Sequence, residues 1–154
     1  MASVKPIPDN YPQVAPYLSV HDAQAAIDFY GMVFGATERM RLPAPGGKIG
    51  HAELQLGDSV IMLADEFPEL NIRGPKALGG TPVTLSVYVK DVDGVVERAV
   101  GAGATALRPI EDQFYGDRSG QFEDPFGHRW NVSTHIEDVS QEEMAKRAAE
   151  EASG

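Results

Sequence analysis

Two stretches of the chain share one pattern, in which alternating hydrophobic and polar residues lead into a helical pattern. In the first stretch, a strand predicted over 14–20 precedes Asp22, a good helix N-cap residue, and a helix over 23–34. In the second stretch, a strand over 83–89 precedes Asp91 and a helix over 92–101. The repetition predicts two similar halves, and we expect a functional site at the seam where the halves meet.

Three further strands are predicted after each helix, which makes each half a strand, a helix and three strands. These strands are expected at 37–42, 49–56 and 59–64, and again at 104–110, 120–123 and 128–133. Residues 115–118 are predicted to form a loop rather than a strand. The predicted organisation is an arm at 1–12, a first module at 13–66, a linker at 67–81, a second module at 82–136 and a helical tail at 137–154. Because the helices occupy one side of each sheet only, the predicted class is α+β.

The alternation along each strand also assigns side chains to one of the two sheet faces. Apolar residues, Trp130 among them, are expected on the helix-facing side. The opposite face then carries phenols, hydroxyls and an imidazole, as in a polar cup that suits a polar or planar ligand, with ordinary sheet packing as the alternative. The candidate ligand-binding residues on this face are Tyr17, Ser19, His51, Glu53, Gln55, Thr84, Ser86, Tyr88, Arg129 and Asn131.

Composition narrows the classes of partner. The 154 residues carry a formal net charge of −10, which disfavours nucleic acids and anionic membranes as partners. No apolar run approaches the roughly 20 residues of a membrane span, and the N-terminal residues do not resemble a signal peptide. The chain has no cysteine, so neither disulfides nor thiolate chemistry is expected. A cytoplasmic location is the expectation.

Several motifs together resemble one family of proteins. They are Pro16-Tyr17-Leu18 leading to Asp22 and Phe29-Tyr30, His51-Ala52-Glu53-Leu54, Asp91-Val92-Asp93, and Asp124-Pro125-Phe126-Gly127-His128-Arg129-Trp130. This pattern, over roughly residues 12–136, resembles the vicinal oxygen chelate superfamily, the glyoxalase, bleomycin-resistance and extradiol dioxygenase group. The resemblance implies two βαβββ modules, each curling its sheet into a half-barrel with the helices outside, and commonly a homodimer, formed side by side or by module swapping.

The resemblance also implies where a metal would bind. Metal-dependent members carry a His or Gln on the first strand of each module and a Glu on the last strand. Those positions correspond here to Ala15, Met62, Thr84 and Asn131. None of these side chains is an imidazole or a carboxylate, and Thr and Asn are weak ligands. The usual metal site is therefore predicted to be absent.

His51 and Glu53 form the sharpest local candidate, and the sequence allows two interpretations of them. Residues i and i+2 of a strand lie on one face about 7 Å apart, so both side chains could reach one metal or one substrate. A metal would need a third ligand, such as His128, Asp65 or Glu66. The alternative, which we favour, is a structural His–Glu hydrogen bond.

Three functional hypotheses follow. The first, which we favour, is a protein without metal or other cofactor that binds a small organic molecule in the polar cup. The second is a metal-dependent lyase, isomerase or dioxygenase whose displaced site uses His51 and Glu53 with Zn, Ni, Fe or Mn, or in which Glu53 serves as a base. The third is an interaction protein whose sheet faces pair in a dimer.

Overall fold

The computed structural model describes residues 3–154, so Met1 and Ala2 of the predicted arm lie outside the described residues. The chain divides into two compact units, the first ending at Gly80 and the second beginning at Thr81. Each unit contains one four-stranded mixed sheet with helices, and the fold class is α+β, as predicted. No helix of residues 3–154 is long and apolar enough to cross a membrane.

The first unit follows the predicted order of elements. Its strands and helices are β1 (Tyr17–Val20), α1 (Ala23–Phe34), β2 (Thr37–Ala44), β3 (Lys48–Leu56), β4 (Ser59–Asp65) and the short α2 (Pro75–Leu78). The sheet order is β1-β4-β3-β2, with β1 and β4 parallel. Helix α1 begins where the Asp22 carboxylate accepts a hydrogen bond from the Ala25 N–H, and it ends at Gly35, which has a φ of 73°.

The second unit repeats this arrangement. Its elements are β5 (Thr84–Tyr88), α3 (Val92–Gly101), β6 (Thr105–Asp112), β7 (Asp117–Glu123), β8 (Arg129–His135) and α4 (Gln141–Ser153). The sheet order is β5-β8-β7-β6, with β5 and β8 parallel. Helix α4 begins at Ser140, whose hydroxyl accepts from the Glu143 N–H, and Arg147 ties it to Glu137 and to the Phe114 carbonyl.

The strand registers define equivalent positions in the two units. In the first unit, Met62 lies opposite Tyr17 on one side and opposite Glu53 on the other. In the second unit, Asn131 lies in the same way between Ser86 and Gln121. These two rows of three residues point away from the helices, because their strand neighbours carry the core side chains.

The helix-facing sides of the sheets are buried, as the alternation predicts. Leu18, Val20 and Leu54 are buried in the first unit, and Trp130 and Val132 in the second. The indole N–H of Trp130 donates to Asp124 Oδ2 at 2.9 Å, and Asp124 Oδ1 accepts from the backbone N–H groups of the turn that follows it. The turn before β8 is therefore held by a buried carboxylate, a structural role.

Two local predictions are wrong. The first strand begins at Tyr17 rather than at residue 14, so Ala15 precedes β1 instead of lying on it. Asp117 and Arg118 belong to β7 rather than to a loop, because their backbones pair with His135 and Thr134 of β8. The strand begins directly after Gly116, where a side chain would collide with the Glu137 carbonyl. His135 is accordingly the last residue of β8 rather than a residue beyond it.

Candidate functional site

Glu53 is the centre of the polar face of the first unit. Its side chain points away from α1, yet the residue is only 4% exposed. Tyr11 Oη donates a hydrogen bond to Glu53 Oε1 at 2.7 Å, and His51 Nε2 lies 2.8 Å from Glu53 Oε2. Both carboxylate oxygens are thus engaged, which is what a buried charge requires.

His51 connects Glu53 to Tyr17. The Tyr17 hydroxyl lies 2.7 Å from His51 Nδ1, and the two rings are tilted against each other with centroids 5.4 Å apart. An ionised carboxylate only accepts hydrogen bonds, so in the neutral imidazole Nε2 carries the proton and Nδ1 accepts from Tyr17. The result is a continuous chain from Tyr17 through His51 and Glu53 to Tyr11.

Electrostatics fix the protonation of the Glu53 carboxylate and of the two phenols. Burial on its own would raise the pKa of Glu53, but hydrogen bonds from His51 and Tyr11, together with the charge of Arg39, hold that pKa below its ordinary value. The hydrogen bond to Glu53 raises the pKa of Tyr11, and burial and then the charge of Glu53 raise that of Tyr17. Glu53 therefore stays ionised at neutral pH and is a weak base, while both phenols keep their protons.

Arg39 completes the polar face of the first unit. Its guanidinium carbon lies 4.7 Å from the centroid of the Tyr11 ring, in cation–π geometry. One of its nitrogens, Nη1, is buried and has no hydrogen-bond partner among the described residues. A buried donor without an acceptor is costly, so this nitrogen is a point at which the face retains binding capacity.

The polar face of the second unit is held more loosely. Gln121 Nε2 donates to Asn131 Oδ1 at 3.3 Å, and Asn131 Nδ2 lies 3.3 Å from Ser133 Oγ and 3.5 Å from Ser86 Oγ. These distances are well beyond the usual 2.9 Å or so of an N–H···O hydrogen bond. The amides are neutral and adaptable, and they are only weakly committed to one another.

A cavity of about 230 Å³ opens beside these amides, within the second unit. Its lining includes Arg108, Glu111, Tyr115, Ser119, Gln121 and Asn131. The backbone of Arg108 pairs with Gln121 in the sheet, but its side chain forms no ion pair or hydrogen bond with any residue in the described part of the chain. The cavity therefore combines a cation, a carboxylate, a phenol and two amides whose hydrogen-bonding capacity is incompletely used.

A second polar cluster lies at the end of β8. Tyr88 Oη donates to Asp117 Oδ2 at 2.7 Å, while the two ring nitrogens of His135 lie 2.8 Å from Asp117 Oδ1 and 2.7 Å from Asp138 Oδ1. The hydrogen bond to Asp117, followed by that to Asp138, raises the pKa of His135. The hydrogen bond to Asp117 likewise raises the pKa of Tyr88. All four side chains are engaged with one another.

The predicted site residues therefore fall into separate groups. Tyr17, His51 and Glu53 come together in the first unit, and Ser86 and Asn131 come together in the second. Two other candidates have partners outside these groups, since Gln55 donates to the Gly57 carbonyl of its own turn and Tyr88 to Asp117. Thr84 and Arg129 are exposed and lie opposite each other, and Ser19 lies opposite Ala64.

Comparison with known proteins places the chain in a family. Residues 11–132 match the sequence profile of the Glyoxalase/Bleomycin resistance protein/Dioxygenase superfamily. The chain belongs to this superfamily. An uncharacterized protein of Mycobacterium bovis is 41% identical to this superfamily member over 146 residues, which cover 93% of the chain and 96% of the relative.

Solved structures agree with this placement. The crystal structure of TioX from Micromonospora sp. ML1 is 31% identical, with a TM-score of 0.63, and the match covers 81% of this chain and 99% of TioX. A protein from Pseudomonas aeruginosa is 26% identical with a TM-score of 0.66, over 82% of this chain and 99% of that protein. The predicted resemblance and the two-module fold are confirmed.

The residues at the positions where the resemblance predicts metal ligands do not suit a metal. Ala15 and Met62 offer neither oxygen nor imidazole, and Thr84 and Asn131 offer weak neutral oxygens. Among residues 3–154, no group of three His, Asp or Glu side chains is arranged to hold a metal ion. Asp65, considered above as a third ligand for His51 and Glu53, accepts hydrogen bonds from the Ala23 and Ile49 N–H groups.

Four residues that matter to these faces were not predicted from the sequence. Gln121 follows from the same alternation, because its neighbour Phe122 is fully buried, and extending the strand-parity argument to β7 would have found it. Arg39 lies at a register irregularity between Glu38 and Met40, where strict alternation fails. Tyr11 reaches Glu53 from outside any strand, and Asp117 was assigned to a loop.

Proposed function

We propose that this superfamily member binds a small organic molecule in the cavity of its second unit and that it does so without the metal of the metal-dependent members. The observation that carries the proposal is the set of polar side chains beside Asn131 whose hydrogen-bonding capacity is incompletely used. A ligand can replace the amide contacts at 3.3–3.5 Å with shorter hydrogen bonds and can supply a partner for the Arg108 side chain, at little cost to the protein.

The lining favours a compact ligand with mixed polarity. A volume of about 230 Å³ lies below the roughly 300–1,000 Å³ of drug-sized sites, so the ligand is small. Gln121 and Asn131 each present donors and acceptors, and Tyr115 adds an aromatic ring. A ligand that carries an anionic group for Arg108 and a carbonyl or hydroxyl group for the amides would use most of this lining.

Native mass spectrometry of the purified protein, screened against a library of small polar compounds, tests the binding site. Asn131→Leu should abolish the retained masses or weaken them at least about tenfold, the effect of losing one good polar contact. The equivalent position in the first unit supplies a matched control, since Met62→Leu should leave binding unchanged. Ligands that are retained equally by both variants and by the wild-type protein would contradict the proposed site.

The metal-free part of the proposal has its own test. Protein purified without chelators should contain less than stoichiometric Zn, Ni, Fe and Mn by elemental mass spectrometry. Stoichiometric metal that disappears in His51→Ala would instead support the alternative enzyme with displaced ligands at His51 and Glu53. The geometry supports the structural role, because both nitrogens of His51 are already engaged by Tyr17 and Glu53.

The same native mass spectrum tests the assembly. We expect a homodimer, because members of the resembled superfamily commonly form one. A monomeric mass at micromolar concentration would contradict the expected dimer and leave the cavity proposal intact.

The lack of cysteine suits the reducing cytoplasm, which remains the expected location.

A further inference from the structure

Within residues 3–14, a single side chain holds the N-terminal arm against the first unit. Of the described residues from Ser3 to Val14, only Tyr11 is half-buried, and every other one is exposed. The other contacts within this stretch are local, including an exposed ion pair between Lys5 and Asp9 and a 3.4 Å backbone contact from Tyr11 to Pro8. Releasing the Tyr11 side chain would therefore release the arm.

The surroundings of Tyr11 are those of a ligand site rather than of a core. Its hydroxyl donates to the buried Glu53, and its ring lies beneath the guanidinium of Arg39. His51 holds the other oxygen of the carboxylate, so the acceptor is already oriented. A fixed anionic acceptor and a cation over the ring face are the two contacts that a phenol can satisfy at once.

A second observation points to an unfilled capacity at the same place. Arg39 Nη1 is buried without a hydrogen-bond partner among the described residues, although the guanidinium lies over Tyr11. The Tyr11 hydroxyl bonds to Glu53 and does not accept from this nitrogen. A free aromatic molecule that carries a hydroxyl and a second oxygen on its ring could satisfy both Glu53 and Arg39.

We propose that Glu53, His51 and Arg39 form a binding site for small phenolic molecules, and that Tyr11 occupies this site as an intramolecular substitute. A free phenol would displace Tyr11 and release the arm. The site lies in the first unit and uses none of the residues that line the cavity of the second. It therefore goes beyond the function proposed above.

The chemistry of the site excludes other ligand classes. Glu53 is held ionised, so it repels carboxylates and phosphates that approach its oxygens and accepts from neutral O–H or N–H donors. Arg39 binds the face of an aromatic ring, which a saturated alcohol lacks. Only an aromatic ring with a hydrogen-bond donor satisfies both groups, and phenols are the simplest molecules of that kind.

The test uses p-cresol, which has the structure of the tyrosine side chain, and measures its dissociation constant by calorimetry or by ligand-observed NMR. Tyr11→Ala should bind p-cresol at least about tenfold more tightly than the wild-type protein, because the occupied site must first be vacated in the wild type. Toluene, which lacks the hydroxyl, should bind Tyr11→Ala at least about tenfold more weakly than p-cresol does.

Two further variants keep the test decisive. If Tyr11→Ala does not unfold cooperatively, Tyr11→Phe retains the ring over Arg39 without the hydroxyl and should still bind p-cresol more tightly than the wild type. Glu53→Gln combined with either change should reduce the preference for p-cresol over toluene, because a neutral amide oxygen accepts more weakly than a carboxylate. Equal affinity of p-cresol for wild-type and Tyr11 variants, or equal affinity of p-cresol and toluene, would overturn the proposal. Neither outcome bears on the Asn131→Leu test of the second unit.

Discussion

The two units place different chemistry at equivalent strand positions. Met62 lies between Tyr17 and Glu53 in the first unit, where the polar side chains are joined by contacts of 2.7–2.8 Å. Asn131 lies between Ser86 and Gln121 in the second, where the contacts lengthen to 3.3–3.5 Å. One backbone pattern thus supports a network of short hydrogen bonds in one unit and a network of long ones in the other.

The change from a carboxylate to an amide accounts for much of this difference. Glu53 is buried and charged, so it needs strong donors. Tyr11 and His51 form hydrogen bonds with it, and the charge of Arg39 stabilises it further. Gln121 is neutral and half-buried, and it can leave donors and acceptors to solvent or to a ligand at modest cost. The polar face of the first unit is filled by a side chain of the same protein, Tyr11, whereas the amides of the second unit leave hydrogen-bonding capacity open to solvent or to a ligand.

The largest expected effect comes from removing the carboxylate. Glu53→Ala should lower the free energy of unfolding by about 3 kcal/mol, because it leaves His51 and Tyr11 without an acceptor and opens a cavity. The equivalent change, Gln121→Ala, should cost about 1 kcal/mol or less. Urea unfolding of the two variants measures both values, and equal losses would show that the two networks do not differ in strength.

Acidification should weaken the hydrogen-bond network around Glu53 but not the amide network of the second unit. The folded-state pKa of Glu53 lies below its unfolded value of about 4.3, so its stabilising contribution is present above that pH and is lost as the pH falls through the folded pKa. Asp93 and Glu137, whose pKa values are also lowered, act in the same direction. Thermal unfolding between pH 7 and 3 should therefore show a shallower loss for Glu53→Gln than for the wild type; parallel curves would contradict the assignment.

Alkalinisation should weaken the second unit at His135, where the imidazole contacts Asp117 and Asp138. The folded-state pKa of His135 lies above its unfolded value of about 6.5, so its contribution is complete below that pH and disappears as the pH rises through the folded pKa. The effect should be smaller than that of Glu53, because the imidazole is half exposed and solvent screens its partners. His135→Gln should flatten the pH dependence of the melting temperature above pH 6; an unchanged slope would exclude His135 as its source.

The smallest effect on stability is expected where binding is proposed. Asn131→Leu should change the free energy of unfolding by no more than about 0.5 kcal/mol, because the lost contacts are long and Gln121 can turn to the cavity. Chemical denaturation checks this value, with Met62→Leu as the reference. A loss above about 2 kcal/mol would mean that the amide network is a structural element like that of Glu53.

Much of the fold could be predicted because it follows from local patterns. The helix bounds Ala23–Phe34 and Val92–Gly101 agree with the predicted ranges, since Asp22 and Asp91 cap each helix and the apolar stripes have helical spacing. The strands were found with errors at their ends, the largest at β1 and β7, which begin at Tyr17 and Asp117. The start of β7 depends on the backbone pairing of Asp117 with His135, and these two residues are far apart in sequence.

By itself, the sequence determined the repeated strand–helix pattern, the core face of each strand and the pairing of His51 with Glu53, because these depend on spacing within single elements and on parity. Only the tertiary structure decided that Tyr11 and Arg39 converge on Glu53, and that Gln121 and Asn131 border a cavity. Those contacts involve the N-terminal arm, a residue at a register irregularity and side chains of neighbouring strands. Their distances depend on the packing within each unit rather than on any local period.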